Sequence, residues 1–473
     1  VESVAEEDHA VVIGGSMAGL LAARALADRF KRVTVVERDQ APARQPAFRR
    51  GVPHSRHVHI FWHRGLRALE TLLPGACAEL LESGARILDA PADVAWHGPF
   101  GRFPRIRAAR FLSSSRELID AVVRRRVAAH PGVRLWYGRE VVGLHAEHDG
   151  RSVRGVEVRN RGAGGGHAGE PLEAGFVIDA TGRGSRASEW LRGAGCAVPG
   201  KIRYESHFGY ASRYYSPPED IESEWNGLYI QASSQDPHAG AIMPIDGGRW
   251  IATLGGVANH APPSDEDSFL EFARNLGSPA MYEALVCATP LSTPVGFRNM
   301  ANERYDYSRR ARWPAGFAVV GDALCCFNPV YGQGLTTAAL SAVELSRVVR
   351  AGGPRERRRL SRAIQRAVAA PTAVPWLIAT GEDLRYPTTE GPRARFDTKM
   401  RQRYVAHVAA AATVDPVVTR AYFRVLAMEE RPGALLSPRL LRRVLLPGQQ
   451  AVERTSSADR DDFCAVAHNR DGA

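Results

Sequence analysis

Asp322 stands between Gly321 and Ala323, and Asn328-Pro329-Val330-Tyr331-Gly332-Gln333-Gly334 follows shortly after. A carboxylate next to a glycine-rich turn can accept hydrogen bonds from ligand hydroxyls. Glycines there let backbone N–H groups come close to a ligand. The apolar run Phe317-Ala318-Val319-Val320 before the turn reads as a short buried strand. The run Leu335-Thr336-Thr337-Ala338-Ala339 after it reads as a helix. The first turn of such a helix offers unpaired N–H groups and a positive dipole end. A hydroxyl acceptor beside an anion-stabilising helix start suits FAD. Asp322 would take the ribityl chain. The helix start Gly332-Gln333-Gly334 would face the N1/O2 edge of the reduced ring, and Pro329 and Leu335 are expected among the cofactor-binding residues.

A flavin dinucleotide needs a second site for its ADP half, and the N-terminal region supplies a candidate. Ala10-Val11-Val12-Ile13 is a buried-strand pattern, Gly14-Gly15-Ser16-Met17-Ala18-Gly19 follows, and a helix is expected from Leu20 to Phe30. A second strand, Val33-Thr34-Val35-Val36, ends in Glu37. This is the strand–turn–helix–strand–acid order of a dinucleotide fold. Gly14 makes the tight turn, Gly19 lets helix and strand pack closely, and Glu37 would bind the adenosine ribose hydroxyls. Ser16 replaces the middle glycine of the pattern, and serine is small enough for a pyrophosphate to approach.

Composition narrows the class. The chain has 473 residues, 44% hydrophobic and 24% charged, which is ordinary for a globular enzyme. Its net charge of +11 comes almost wholly from arginine, since the lysines are Lys31, Lys201 and Lys399 alone. Clusters such as Arg124-Arg125-Arg126 read as solvated helix faces, because no aromatic platform or nucleic-acid motif accompanies them. Six cysteines lack metal spacing and read as unpaired thiols of a reducing cytoplasm. No apolar run approaches the length of a membrane span.

These sites require an α/β architecture around them. A Rossmann-type FAD-binding domain is expected over 9–199, resuming over 313–350. A mostly antiparallel substrate-domain sheet is inserted over 200–312, and a helical C-terminal region covers 351–473. Within the first part, Ser113-Ser114-Ser115 reads as the cap of a helix, and Val153–Val158 is expected to pair with Phe176-Val177-Ile178. The second strand runs into Asp179-Ala180-Thr181-Gly182-Arg183. Ile242 to Leu254 reads as a hairpin turning at Gly247-Gly248.

The anchors at Gly14–Gly19, at Glu37-Arg38-Asp39, at Arg50-Gly51-Val52-Pro53, at Asp179–Arg186 and at Gly321–Gly334, in this order, resemble the FAD-dependent aromatic hydroxylase superfamily. The resemblance is closest to bacterial FAD-dependent epoxidases of polyketide and polyether biosynthesis. It implies that Arg49 and Arg116 reach the FAD phosphates or ribityl chain, with Arg38 and Arg56 beside them, and that Val141 meets adenine through its backbone. It also implies a monooxygenase. Oxygen added at the flavin C4a position forms a hydroperoxide, which epoxidises an alkene or hydroxylates a ring of an apolar secondary metabolite, free or carrier-bound.

Such chemistry names no catalytic acid or base. His57, His59 and His63 read as structural or solvent-facing. Two departures stand out: His54 replaces a glutamine usual in this branch, and Thr181-Gly182 replaces an Asp-Gly pair linked to nicotinamide use. The electrons of NAD(P)H would arrive directly or through a separate flavin reductase. The rivals are a flavin-dependent reductase of prenyl chains and a non-catalytic flavin-binding protein. A halogenase lacks support: there is no Trp-x-Trp-x-Ile-Pro run, and there are only three lysines.

Overall fold

A computed structural model describes residues 6–445 apart from 43–44, 148, 162–168, 197, 219–223, 299, 308–312 and 352–356. Its centre is a five-stranded parallel sheet in the order Phe317–Val319, Phe176–Asp179, His9–Ile13, Arg32–Glu37, Val133–Tyr137. The three strands from Phe317, Phe176 and His9 are buried at every position, as continuous apolar runs of a covered parallel sheet must be. Helix Met17–Leu26 packs on this sheet, and helix Gly334–Arg350 packs against that helix. Ser115 caps the helix Arg116–Ala128, its Oγ accepting from the N–H of Leu118 at 3.2 Å.

One expected pairing is corrected. Val153–Asn160 does not pair with Phe176–Asp179; its partners are Arg139–Ala146 and Glu170–Glu173, both antiparallel. The reason lies in the residues. Val153–Asn160 alternates between buried and exposed and can serve a one-sided sheet, whereas Phe176–Asp179 is wholly buried and belongs in the centre of the molecule.

A second, eight-stranded sheet lies against the first body. Its long strands Gly209–Ser216, Trp250–Gly256, His238–Pro244 and Gly227–Ile230 pair antiparallel. It also takes Val94–Gly98, paired in parallel with Gly227–Ile230, so the chain enters this sheet well before residue 200. The hairpin turn falls at Asp246-Gly247-Gly248, with both glycines at positive φ. That turn docks the sheet onto the first body. Asp246 Oδ1 accepts from the Ser115 N–H at 2.8 Å and the Ser114 hydroxyl at 3.1 Å, and the Ser113 hydroxyl donates to the Pro244 carbonyl at 2.6 Å.

After Gly334–Arg350 the described chain is helical: Arg357–Ala369, Ala373–Asp383, Phe396–Ala412, Pro416–Leu426 and Pro438–Leu445. No described helix is long and apolar enough to cross a membrane. Cys77, Cys196, Cys325 and Cys326 are free thiols.

Candidate FAD and substrate site

A cavity of ≈ 590 Å³ runs between the parallel sheet, the eight-stranded sheet and the C-terminal helices. Of the residues expected at a flavin site, Gly14, Ser16, Glu37, Arg38, Arg49, Arg116, Val141, Asp322, Pro329, Gly332, Gly334 and Leu335 line it. Gly19, Arg56 and Gln333 do not. Gly19 acts from behind: a Cβ there would lie 1.9 Å from the Gly14 carbonyl, so only glycine lets the helix sit this close to the turn. The Arg56 guanidinium stacks on Phe48, 3.8 Å from the ring centre. Gln333 is buried, and its amide donates to the Leu426 carbonyl at 2.8 Å, fastening the loop to the C-terminal helices.

The dinucleotide end is built from backbone and charge. Gly14 has φ +101°, a left-handed conformation, and its N–H donates to the Val36 carbonyl at 2.9 Å. The Glu37 carboxylate accepts the Gly15 N–H at 2.8 Å and the Asp39 N–H at 2.9 Å. Each oxygen keeps a second lone pair for a ligand hydroxyl. The guanidinium of Arg49 donates to the Gly15 carbonyl at 3.1 Å and lies 3.5 Å from Glu37 Oε2, while its buried Nε, 4.0 Å from Asp39 Oδ2, has no hydrogen-bond partner among the described residues. Ser16 gains a physical reason here. Its hydroxyl accepts from Arg116 at 3.1 Å, and Arg116 is held on its other side by Asp120 at 2.8 Å. A glycine at position 16 would leave that guanidinium without this anchor.

The ring end centres on Asp322 and the start of the 17-residue helix Gly334–Arg350. That helix has no side-chain N-cap and no acid in its first turn, so its free N–H groups remain available to an electron-rich ligand edge. A Cβ on Gly334 would meet nothing within 4 Å, which leaves room in front of the helix start. Asp322 is exposed, but to the cavity; protein packs closely around the rest of it. That burial pushes its carboxyl up, against the pull of Arg183 and Arg116. The donor set at both ends therefore fits FAD: acids for hydroxyls, arginines and helix starts for phosphates and the reduced ring.

Several residues of the cavity were not anticipated. His57 and His59 line it, with His54 beside them, contrary to the structural or solvent-facing reading; His63 is the one of the expected trio that lies elsewhere. Burial holds all three cavity imidazoles down to about 3, so they are neutral at pH 7. Arg116 and then Arg183 add to the effect at His54, His59 and Arg56 at His57, and Arg116 at His59. Arg183 donates to the carbonyls of Ala301 at 2.6 Å and Phe327 at 3.1 Å, bracing the loop that carries Asn328.

Beyond the flavin end, Trp96, Tyr210, Tyr229, Phe297, Tyr331 and Tyr386 form an aromatic chamber. The Tyr229 hydroxyl donates to the Val330 carbonyl at 2.8 Å, linking the large sheet to the cofactor loop. Asp383 closes the chamber from the C-terminal side. It accepts from Asn328 Nδ2 at 2.6 Å and from Asn302 Nδ2, and burial pushes its carboxyl up to about 7. No spacing in the sequence connects Asp383 with Asn328, so nothing there could have announced this contact.

With this geometry in view, the comparisons with known proteins carry weight. Residues 7–354 match the family described as FAD binding domain. Protein Rv3254 of Mycobacterium tuberculosis is 31% identical over 426 residues, covering 88% of this chain and 89% of the relative. The rifampicin monooxygenase of Streptomyces venezuelae is 26% identical over 344 residues, 71% of this chain and 62% of the relative. The fold is shared with a flavoprotein/dehydrogenase from Cytophaga hutchinsonii, with a TM-score of 0.62 at 16% identity over 92% of this chain and 95% of the other. The chain belongs to the FAD-binding domain family.

Proposed function

We propose that this enzyme is an FAD-dependent monooxygenase that epoxidises an alkene, or hydroxylates a ring, in an apolar polyketide-like molecule. One observation carries the reading: a single cavity joins the dinucleotide turn, the helix start at Gly334 and an aromatic chamber. Bound flavin, once reduced, supplies the activation of molecular oxygen.

The chain's own residues do the rest. Glu37 and Asp322 would hold the cofactor hydroxyls, and Arg49 and Arg116 its phosphates. The free N–H groups at Gly334–Leu335 would stabilise negative charge on the ring. Tyr210, Tyr229, Phe297 and Tyr331 would bind a flat apolar substrate and keep water out. The neutral histidines add no cation that would attract water to the chamber. The monooxygenase activity named for the rifampicin relative supports this reading.

Electrons would come from a separate flavin reductase. Thr181 stands where the nicotinamide-linked aspartate is usual, and its hydroxyl is turned to Asp179 Oδ1 at 2.6 Å. In anaerobic stopped-flow absorbance, NADPH alone should bleach the bound flavin slowly. Rapid, saturable bleaching quickened by substrate would show self-reduction instead. The reaction itself is tested by product mass after incubation with reduced FAD, oxygen and candidate polyenes. One added oxygen per reacting alkene is expected. Products with two added hydrogens and no oxygen would establish the prenyl-reductase alternative.

A further inference from the structure

The helix Ala373–Asp383 ends in Glu382 and Asp383, with no base in its last turn. A helix C-terminus is the negative end of the dipole and favours cations, so two acids there run against local stability. Both line the cavity. Protein surrounds Glu382 on every side, so the 29% of its side-chain surface that stays accessible opens on the cavity. Arg385 lies 2.9 Å from Glu382 Oε2, and Oε1 accepts no hydrogen bond from the described residues. Asp383 is held by neutral groups, the amides of Asn302 and Asn328 and the Ser206 hydroxyl, and the charges that act on it are those of Glu382 and Glu205.

Resting on the flavin reading above, we infer that Glu382 binds a protonated amine carried by an otherwise apolar substrate. Two carboxyls beside one guanidinium leave this end of the chamber with an excess negative charge when both are ionised. An ammonium neutralises that excess; a hydroxyl does not. The walls suit the same group. Tyr229, Tyr331 and Tyr386 line the cavity beside Glu382, whose charge adds to the burial that pushes their phenols up. Aromatic faces attract an ammonium through the ring quadrupole, most strongly where water is excluded. The positive charges of Arg183 and Arg116 act beside Asp322 instead. The ammonium is therefore drawn to the C-terminal side of the chamber, and the apolar body is left toward the flavin end.

The test uses the FAD-loaded protein and two probes of nearly equal shape, 2-(1-naphthyl)ethylamine and 1-propylnaphthalene, in which an ammonium replaces a methyl group. It is run at about pH 8, above the Asp383 pKa of about 7 and below that of an alkyl amine. The parent enzyme should bind the amine about tenfold more tightly. Glu382→Gln keeps the shape and removes the charge. It should abolish the preference while FAD affinity stays at the parent's value. Equal affinities in the parent, binding of neither probe, or a preference that survives Glu382→Gln would overturn the inference.

A charge-reversed probe gives a second readout that needs no variant to fold. 3-(1-Naphthyl)propanoate should bind the parent most weakly of the three, and an affinity equal to the amine's would overturn the inference. Failure of the parent to bind FAD would sink the flavin reading, and this inference with it. An intact FAD titration without an amine preference would sink the inference alone.

Discussion

The two ends of the cavity treat polar groups in opposite ways. At the dinucleotide end most of them are already partnered: Glu37 with two backbone N–H groups, Arg116 with Ser16 and Asp120. At the substrate end several atoms stay buried without partners, among them His57 Nε2, Gln231 Oε1 and Asn328 Oδ1. The first end is set before any ligand arrives, which lowers the ordering cost of binding. The second leaves loose ends for a ligand to complete, and unmet groups are how a site rejects the wrong molecule.

Substitutions at the preset end should therefore damage stability and cofactor affinity together. Gly14→Ala is the most severe, since a Cβ at φ +101° would lie 2.7 Å from the Ala180 carbonyl. A loss of about 2–4 kcal/mol in urea unfolding is expected, with loss of FAD retention. Wild-type stability in this variant would mean that the turn is not preset.

Asp383 probes the opposite end through pH. Its folded-state pKa is raised to about 7 by burial, above the ordinary carboxylate value, so the folded form holds the proton more tightly. Its contribution to stability is fully present below the unfolded pKa. It is lost as pH rises toward 7, at about 1.4 kcal/mol per unit of pH. Asp383→Asn should flatten the urea-midpoint profile between pH 5 and 7. An unchanged slope would remove Asp383 as its source.

Glu37→Ala should weaken FAD by about 1.5–3 kcal/mol in a fluorescence titration. It should also destabilise the free protein, because the Gly15 and Asp39 N–H groups lose their acceptor. Asp322→Ala sharpens the contrast with a smaller effect. FAD affinity should fall by about 1–2 kcal/mol, while the melting temperature of the flavin-free protein holds or rises, since a carboxyl that burial penalises has been removed. Equal losses of stability in both variants would erase the distinction between them.

Local chemistry was legible in the sequence wherever neighbours in the chain are neighbours in space. Gly14 to Gly19 must turn and cap a helix whatever surrounds them, and apolar runs such as Val33–Val36 must be buried. The glycine-rich loop after Asp322 likewise declares a helix start within its own few residues. Alternation along Val153–Val158 declares a strand, yet not its partner: the mistaken pairing with Phe176–Ile178 arose because pairing is settled by which face is covered from both sides.

Tertiary structure alone decided what crosses long intervals of chain. Only packing brings Arg116 to Ser16, Ser212 to His57 and Asp383 to Asn328. Only packing turns histidines that look solvent-facing in a basic loop into neutral groups in a chamber wall. Burial sets their protonation, and burial belongs to the whole molecule rather than to a segment.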